Sequence, residues 1–279
     1  MVDRIWNLIL SGNYLPTRWV DKIGEIEMSD MQDFLGGATA VETNVDIVFV
    51  IDATKSMDPI IEMVKDSTMH FHEELTKVLE ASGKRVNKLR VKVNWFRDFY
   101  FDGDQAYGES EFFNLPGDEE AFRDFVSSIE AKGGGDDPET SLEALTLAMR
   151  TNWVQDGIKK RHIIVLFTDA SAHPFEDYDE LKAKAEAKGC KVTSYPENMP
   201  KSLDEFFNDW VCIDSQESLG SCNMSPTGRR LIIYAPDSYP WSDLAATLNY
   251  VQIENIEQQS GGDSIEMGEV MSQIAFSMS

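Results

Sequence analysis

The chain has 279 residues, enough for one large α/β domain or two small ones, and 42% of them are hydrophobic, including six Trp and fifteen Phe. That composition excludes a disordered acidic chain. A formal charge of −24 argues against nucleic acid or an anionic membrane surface as partner; such a field draws cations, and its plainest role is solubility.

Residues 1–44 read as an N-terminal extension, with Gly36-Gly37-Ala38-Thr39 as a linker into the first strand. The apolar stretch Ile5 to Leu10 is too short for a secretory signal, and no apolar run reaches the length of a membrane span. Cys190, Cys212 and Cys222 are odd in number and lack metal-type spacing, so free thiols in a reducing cytoplasm are expected.

A domain is expected over 45–279. Val45 to Ile51 is a nearly continuous apolar run rich in β-branched residues, the pattern of a strand buried on both faces. It ends at Asp52, and two hydroxyls follow, Thr54 and Ser56. Asp58 as cap and Pro59 at the first helical position open a helical pattern through Ile60, Ile61, Val64, Phe71, Leu75 and Leu79, which Gly83 stops. Leu89 to Phe96 alternates as a strand, Glu111 to Leu115 reads as a short one, and Asp118 begins a helix faced by Phe122, Phe125, Val126 and Ile129.

Gly133-Gly134-Gly135-Asp136-Asp137-Pro138-Glu139 interrupts the pattern, with Asp137 as cap, Pro138 as first helical residue and Glu139 as a first-turn charge. Behind it a helix carries Leu142, Leu145, Ala148 and Met149, and a second buried strand runs from His162 to Phe167 into Thr168-Asp169. Residues 170–228 read as an insertion holding a helix over 179–188, a strand over 190–195 and a helix over 203–211. Strand 230–235, helix 241–248, strand 250–253 and helix 266–278 close the chain. Strand and helix alternate throughout, which predicts an α/β fold: a doubly wound, mostly parallel sheet flanked by helices, with one antiparallel edge strand.

Asp52-x-Thr54-x-Ser56 offers only oxygen atoms, which suit a hard cation such as Mg²⁺, Mn²⁺ or Ca²⁺. By itself such a triplet also serves as an ordinary polar turn bonded to its own backbone. The carboxylate loops at Asp136 and Asp169 favour the cation, because the strands ending in Asp52 and Asp169 are expected to be parallel neighbours whose ends converge. Asp98 ends a strand on the same face, with an ion pair from Arg97 as an alternative use. His173 follows Asp169 by four residues and is the histidine nearest to this site.

With these residues in place, the chain resembles the von Willebrand factor A family. Asp52-Ala53-Thr54-Lys55-Ser56 matches the Asp-x-Ser-x-Ser motif of its metal-ion-dependent adhesion site, and Leu166-Phe167-Thr168-Asp169 matches its closing Asp. The family's intervening Thr motif is replaced by Gly-Gly-Gly-Asp-x-Pro-Glu at 133–139, which is similar to prokaryotic and protist branches. The resemblance spans about residues 45–278. It implies a Rossmann-like fold and a Mg²⁺ ion held by Thr54, Ser56 and Asp136, with Asp52 and Asp169 contributing directly or through water. It further implies one coordination position open to a carboxylate of a partner protein, in a non-enzymatic cytoplasmic module without nucleic-acid or membrane ligands. Two rivals remain: phosphoryl transfer or hydrolysis around Asp52, Asp136 and Asp169, and a partner surface on the 170–228 insertion with a purely structural metal. No phosphate-binding Gly-x-x-x-x-Gly-Lys loop stands in the chain.

Overall fold

A computed structural model describes residues 43–134, 138–211, 222–257 and 265–278. The chain divides into Met1–Val41 and Glu42–Ser279, and every described residue lies in the second unit.

The sheet is built from β1 (Thr43–Asp52), β2 (Lys88–Phe96), β3 (Tyr107–Glu109), β4 (Phe113–Leu115), β5 (Lys159–Phe167), β6 (Arg229–Ala235) and β7 (Val251–Asn255). Its seven strands run in the order β3-β2-β1-β5-β6-β7, with β4 also on β2. Contacts β1–β2, β1–β5, β5–β6 and β6–β7 are parallel. The antiparallel edge is made in two pieces, β3 against Asn94 to Phe96 and β4 against Leu89 to Val91.

β1 is the centre. All ten of its residues are buried, because alternate side chains feed opposite layers. Ile47, Phe49 and Ile51 pack with Val91, Val93, Ile163 and Val165 beneath α1 (Asp58–Ser67), α2 (Phe71–Ala81), α3 (Glu119–Ser127) and α8 (Met267–Ser277). Val48 and Val50 join Ile164, Leu166, Leu231 and Ile233 on the other face, under α4 (Ser141–Met149), α6 (Leu203–Val211) and α7 (Trp241–Thr247). The Phe49 ring meets Phe71 edge-on at 5.7 Å and stacks on Phe167 at 6.3 Å. Asp46, polar inside this run, is matched by a bidentate Arg90 (Nε to Oδ1 2.8 Å, Nη2 to Oδ2 2.6 Å) and by the Val154 amide. A last helix, α5 (Tyr178–Ala187), lies over a small separate cluster of Tyr100, Leu181 and Ala185.

Several expectations need correction. The helical pattern over 60–79 is two helices, broken at 68–70, where the hydroxyls of Ser67 and Thr68 bond back to the carbonyls of Met63 and Lys65. A 3₁₀ turn, Lys55–Met57, precedes α1, so Met57 rather than Asp58 takes the cap position. α4 begins at Ser141 with Thr140 at its cap, so neither Pro138 nor Glu139 is in its first turn; Glu139 instead bridges in parallel to Ala172. Residues 190–195 form no strand; Cys190, Val192 and Tyr195 pack onto the Tyr100 cluster. Cys190 is a free thiol, but Cys222 is disulfide-bonded, which overturns the expectation of free thiols and removes that support for a reducing compartment. Among the described residues no helix is long and apolar enough to cross a membrane.

Candidate functional site

β1 and β5 run side by side, with Ile51 opposite Phe167, so Asp52 and the pair Thr168-Asp169 leave the sheet together at its carboxyl edge. The chain after Asp52 is fixed at once: the Ala53 amide donates to Phe96 O at 2.7 Å, and the Ala53 carbonyl accepts from Lys132 N and Arg97 Nε. Arg97 spends its guanidinium on three carbonyls, Ala53 O, Gln105 O (2.6 Å) and Glu130 O (2.7 Å). The expected Arg97–carboxylate pair is therefore replaced by a clamp joining three loops to the Asp52 turn.

Asp52 is fully buried. Its Oδ1 accepts from the Thr54 amide (2.9 Å) and Thr54 Oγ1 (2.6 Å), and its Oδ2 accepts from Thr168 Oγ1 (2.8 Å). Ser56 Oγ donates to Asp169 Oδ1 at 3.0 Å and stands 3.4 Å from Thr54 Oγ1. Burial pushes the Asp52 carboxyl up to about 6, against the pull of its hydroxyl and amide donors, and the charge of Asp169 pushes the same way. Two carboxylates and three hydroxyls are thus gathered at one edge.

The glycine run shapes one wall. Gly134 has φ +73°, and a Cβ there would lie 2.7 Å from Thr54 Cβ. Only glycine lets this backbone turn left-handed and press against the Thr54 side chain. Asp136, the remaining predicted ligand, and Asp137 lie outside the described residues.

The structure therefore brings together four of the five predicted residues, Asp52, Thr54, Ser56 and Asp169. Their chemistry fits a hard divalent cation: oxygen donors of two kinds, hydroxyl and buried carboxylate. Among the described residues no group of three or more His, Cys, Asp or Glu side chains is placed to hold a metal, so hydroxyls must complete any site here.

Sequence reasoning missed Thr168 as a participant; its hydroxyl, adjacent to Asp169, was visible but its direction toward Asp52 was not. It also missed a second buried polar group beside the first. Asp98, almost wholly buried, accepts from Tyr100 N through Oδ1 (2.6 Å), and its Oδ2 faces His173 Nε2 at 3.6 Å. Glu143, fully buried within α4, accepts from Tyr195 Oη at 2.9 Å, and burial pushes its carboxyl up to about 7. His173 thus serves this neighbouring group, and its backbone amide donates to Glu139 O.

A family model described as von Willebrand factor A domain matches residues 113–202. The alpha-protein kinase vwkA of Dictyostelium discoideum is 27% identical over 189 residues, 67% of this chain; the chain spans 27% of the kinase's own length. Among solved structures, the pilus adhesin SpaC of Lactobacillus rhamnosus GG aligns with 85% of the chain and 30% of its own (12% identity, TM-score 0.43). Proximal thread matrix protein 1 of the mussel byssus aligns with 85% and 47% (12% identity, TM-score 0.37). The chain is thus similar to the von Willebrand factor A domain over residues 113–202 and to part of the kinase.

Proposed function

We propose that this chain is a Mg²⁺-dependent protein-interaction module that engages a carboxylate of a partner protein. Von Willebrand factor A domains generally serve protein interaction, and the finer reading rests on the convergence of Asp52, Thr54, Ser56 and Asp169 at the carboxyl ends of two adjacent parallel strands. In this reading those four residues and Asp136 would hold the cation. When bound, Mg²⁺ supplies a positive centre able to accept one further carboxylate oxygen. The chain's own residues do the rest: Thr54 and Ser56 offer neutral donors, Thr168 holds Asp52 in place, and Gly134 keeps the edge clear. Neutral hydroxyls leave more of the cation's charge for an incoming acid than an all-carboxylate set would. The chain performs no catalysis in this reading; a kinase name belongs to vwkA, of which the matched part is 27%.

Calorimetric titration of the chelator-treated chain with Mg²⁺, Mn²⁺ and Ca²⁺ tests the site. Saturable one-site binding, lost in Asp52→Asn and in Ser56→Ala, is expected. Binding that both variants leave unchanged would assign the ions to the acidic surface and remove the proposal. Mg²⁺-dependent hydrolysis of a phosphate ester that disappears with Asp52→Asn would replace it with the phosphoryl-transfer rival.

A further inference from the structure

Beyond Asp169 the chain passes through the Ala172 bridge and a 3₁₀ turn, Phe175–Asp177, into α5, while residues 195–201 cross back alongside it. A cleft of about 620 Å³ opens between the two segments. Its apolar side is aromatic: Phe175, Tyr178 and Tyr195 line it, with the two tyrosine rings 4.6 Å apart at 55°. Its polar side is acidic, with exposed Glu176 and Asp179 against a single lysine, Lys201.

Both walls are held before any ligand arrives. Tyr195 donates its hydroxyl to the buried Glu143, and Phe175 packs on Phe206. The returning segment is pinned by Arg150, which donates to Asn198 O (2.8 Å) and pairs with Asp209 (2.6 Å). Lys182, one turn further along α5, places its Nζ 5.7 Å from the Tyr178 centroid.

We propose that this cleft takes the arginine or lysine side chain of an extended segment of a partner protein. Aromatic rings attract the cation and its alkyl stem, and the two exposed lining carboxylates, Glu176 and Asp179, complement its charge. Cleft size suits one long side chain with its flanking backbone. The inference stands on residues 175–201 and does not depend on a metal at Asp52.

The test is a titration, followed by amide NMR shifts, of the chelator-treated chain with a short neutral-flanked peptide carrying one arginine. The same peptide with citrulline is the uncharged control. Saturable binding is expected, with shifts at Phe175, Tyr178 and Tyr195, and about tenfold weaker affinity for citrulline. Glu176→Gln/Asp179→Asn weakens arginine binding by a similar factor. Glu74→Gln/Glu120→Gln, an equal charge change at exposed positions elsewhere, leaves it unchanged. Equal binding of the two peptides, or equal weakening by the two double variants, would reduce the effect to general surface charge and overturn the proposal.

Discussion

At the scale of single residues, the balance at Asp52 is the most informative. Its carboxylate is buried beside Asp169, so ionisation costs stability that a bound cation would return. Asp52→Asn keeps the shape and removes that cost. We expect the metal-free variant to be at least as stable as the wild type at pH 7, while Mg²⁺ raises the melting temperature of the wild type alone; thermal scans with and without the ion check both. Gly134→Ala places a methyl on Thr54 at an unfavourable φ, and should lower stability by about 1–3 kcal/mol and weaken metal binding. Denaturant titration and calorimetry on the one variant read out both effects. Glu143 gives a pH dependence of known sign. Its folded-state value near 7 lies above the ordinary 4.5, so the folded chain holds this proton more tightly than the unfolded one. Its contribution is complete below pH 4.5 and is lost as the pH rises to 7, on the order of 3 kcal/mol across the window. His162 acts oppositely: burial pulls it down to about 4, against the charge of Asp46 and the Val154 carbonyl, which favour the protonated ring, and the Ser225 amide donates to its Nδ1; its contribution is lost as the pH falls from 6.5. Unfolding of the wild type minus Glu143→Gln, measured between pH 4.5 and 7, isolates the first effect, and superimposable curves would contradict it.

At the scale of elements, β1 carries both core layers, so truncating Phe49 to Ala should cost about 3–5 kcal/mol, measurable by denaturant unfolding. How much was legible in the sequence follows from the kind of force at work. β1, β5 and β6 were readable because strands buried on both faces leave continuous apolar runs. The gap between α1 and α2 was not, because its apolar spacing continues while two hydroxyls locally cap the first helix. Glu139 illustrates a different blindness. Its local context reads as a helix start, but a bridge to Ala172, made across 33 positions of chain, draws it out of the helix. The oxygen donors on β1 and β5 were legible as a motif with a register behind it. The clamp by Arg97 and the Glu143–Tyr195 bond were not, because side chains meeting across loops leave no periodic trace.

At the scale of the whole molecule, the charge of −24 sets the ionic background for both proposed sites. Divalent-ion affinity should fall as monovalent salt rises, because added salt screens the diffuse attraction of the surface while the contacts at Asp52 stay the same. Calorimetry at low and physiological ionic strength gives that slope. An affinity independent of salt would confine the effect to the site itself. Where the ion is present at 100 times its dissociation constant, it should add about 2.7 kcal/mol to stability. Asp169 and the cleft residues Phe175, Glu176, Tyr178 and Asp179 all lie on the single connection after β5.

The bond between Ser56 and Asp169 joins positions 113 residues apart. Until the ribosome has released β5, the nascent chain carries Asp52, Thr54 and Ser56 but lacks the carboxylate that completes the edge. Under the proposed reading, cation capture would report that the connection from β1 to β5 has closed, and a product ending before Asp169 would not bind the ion. β6, β7 and α8 all follow Asp169 in the chain, so these oxygen donors can meet before the sheet is complete.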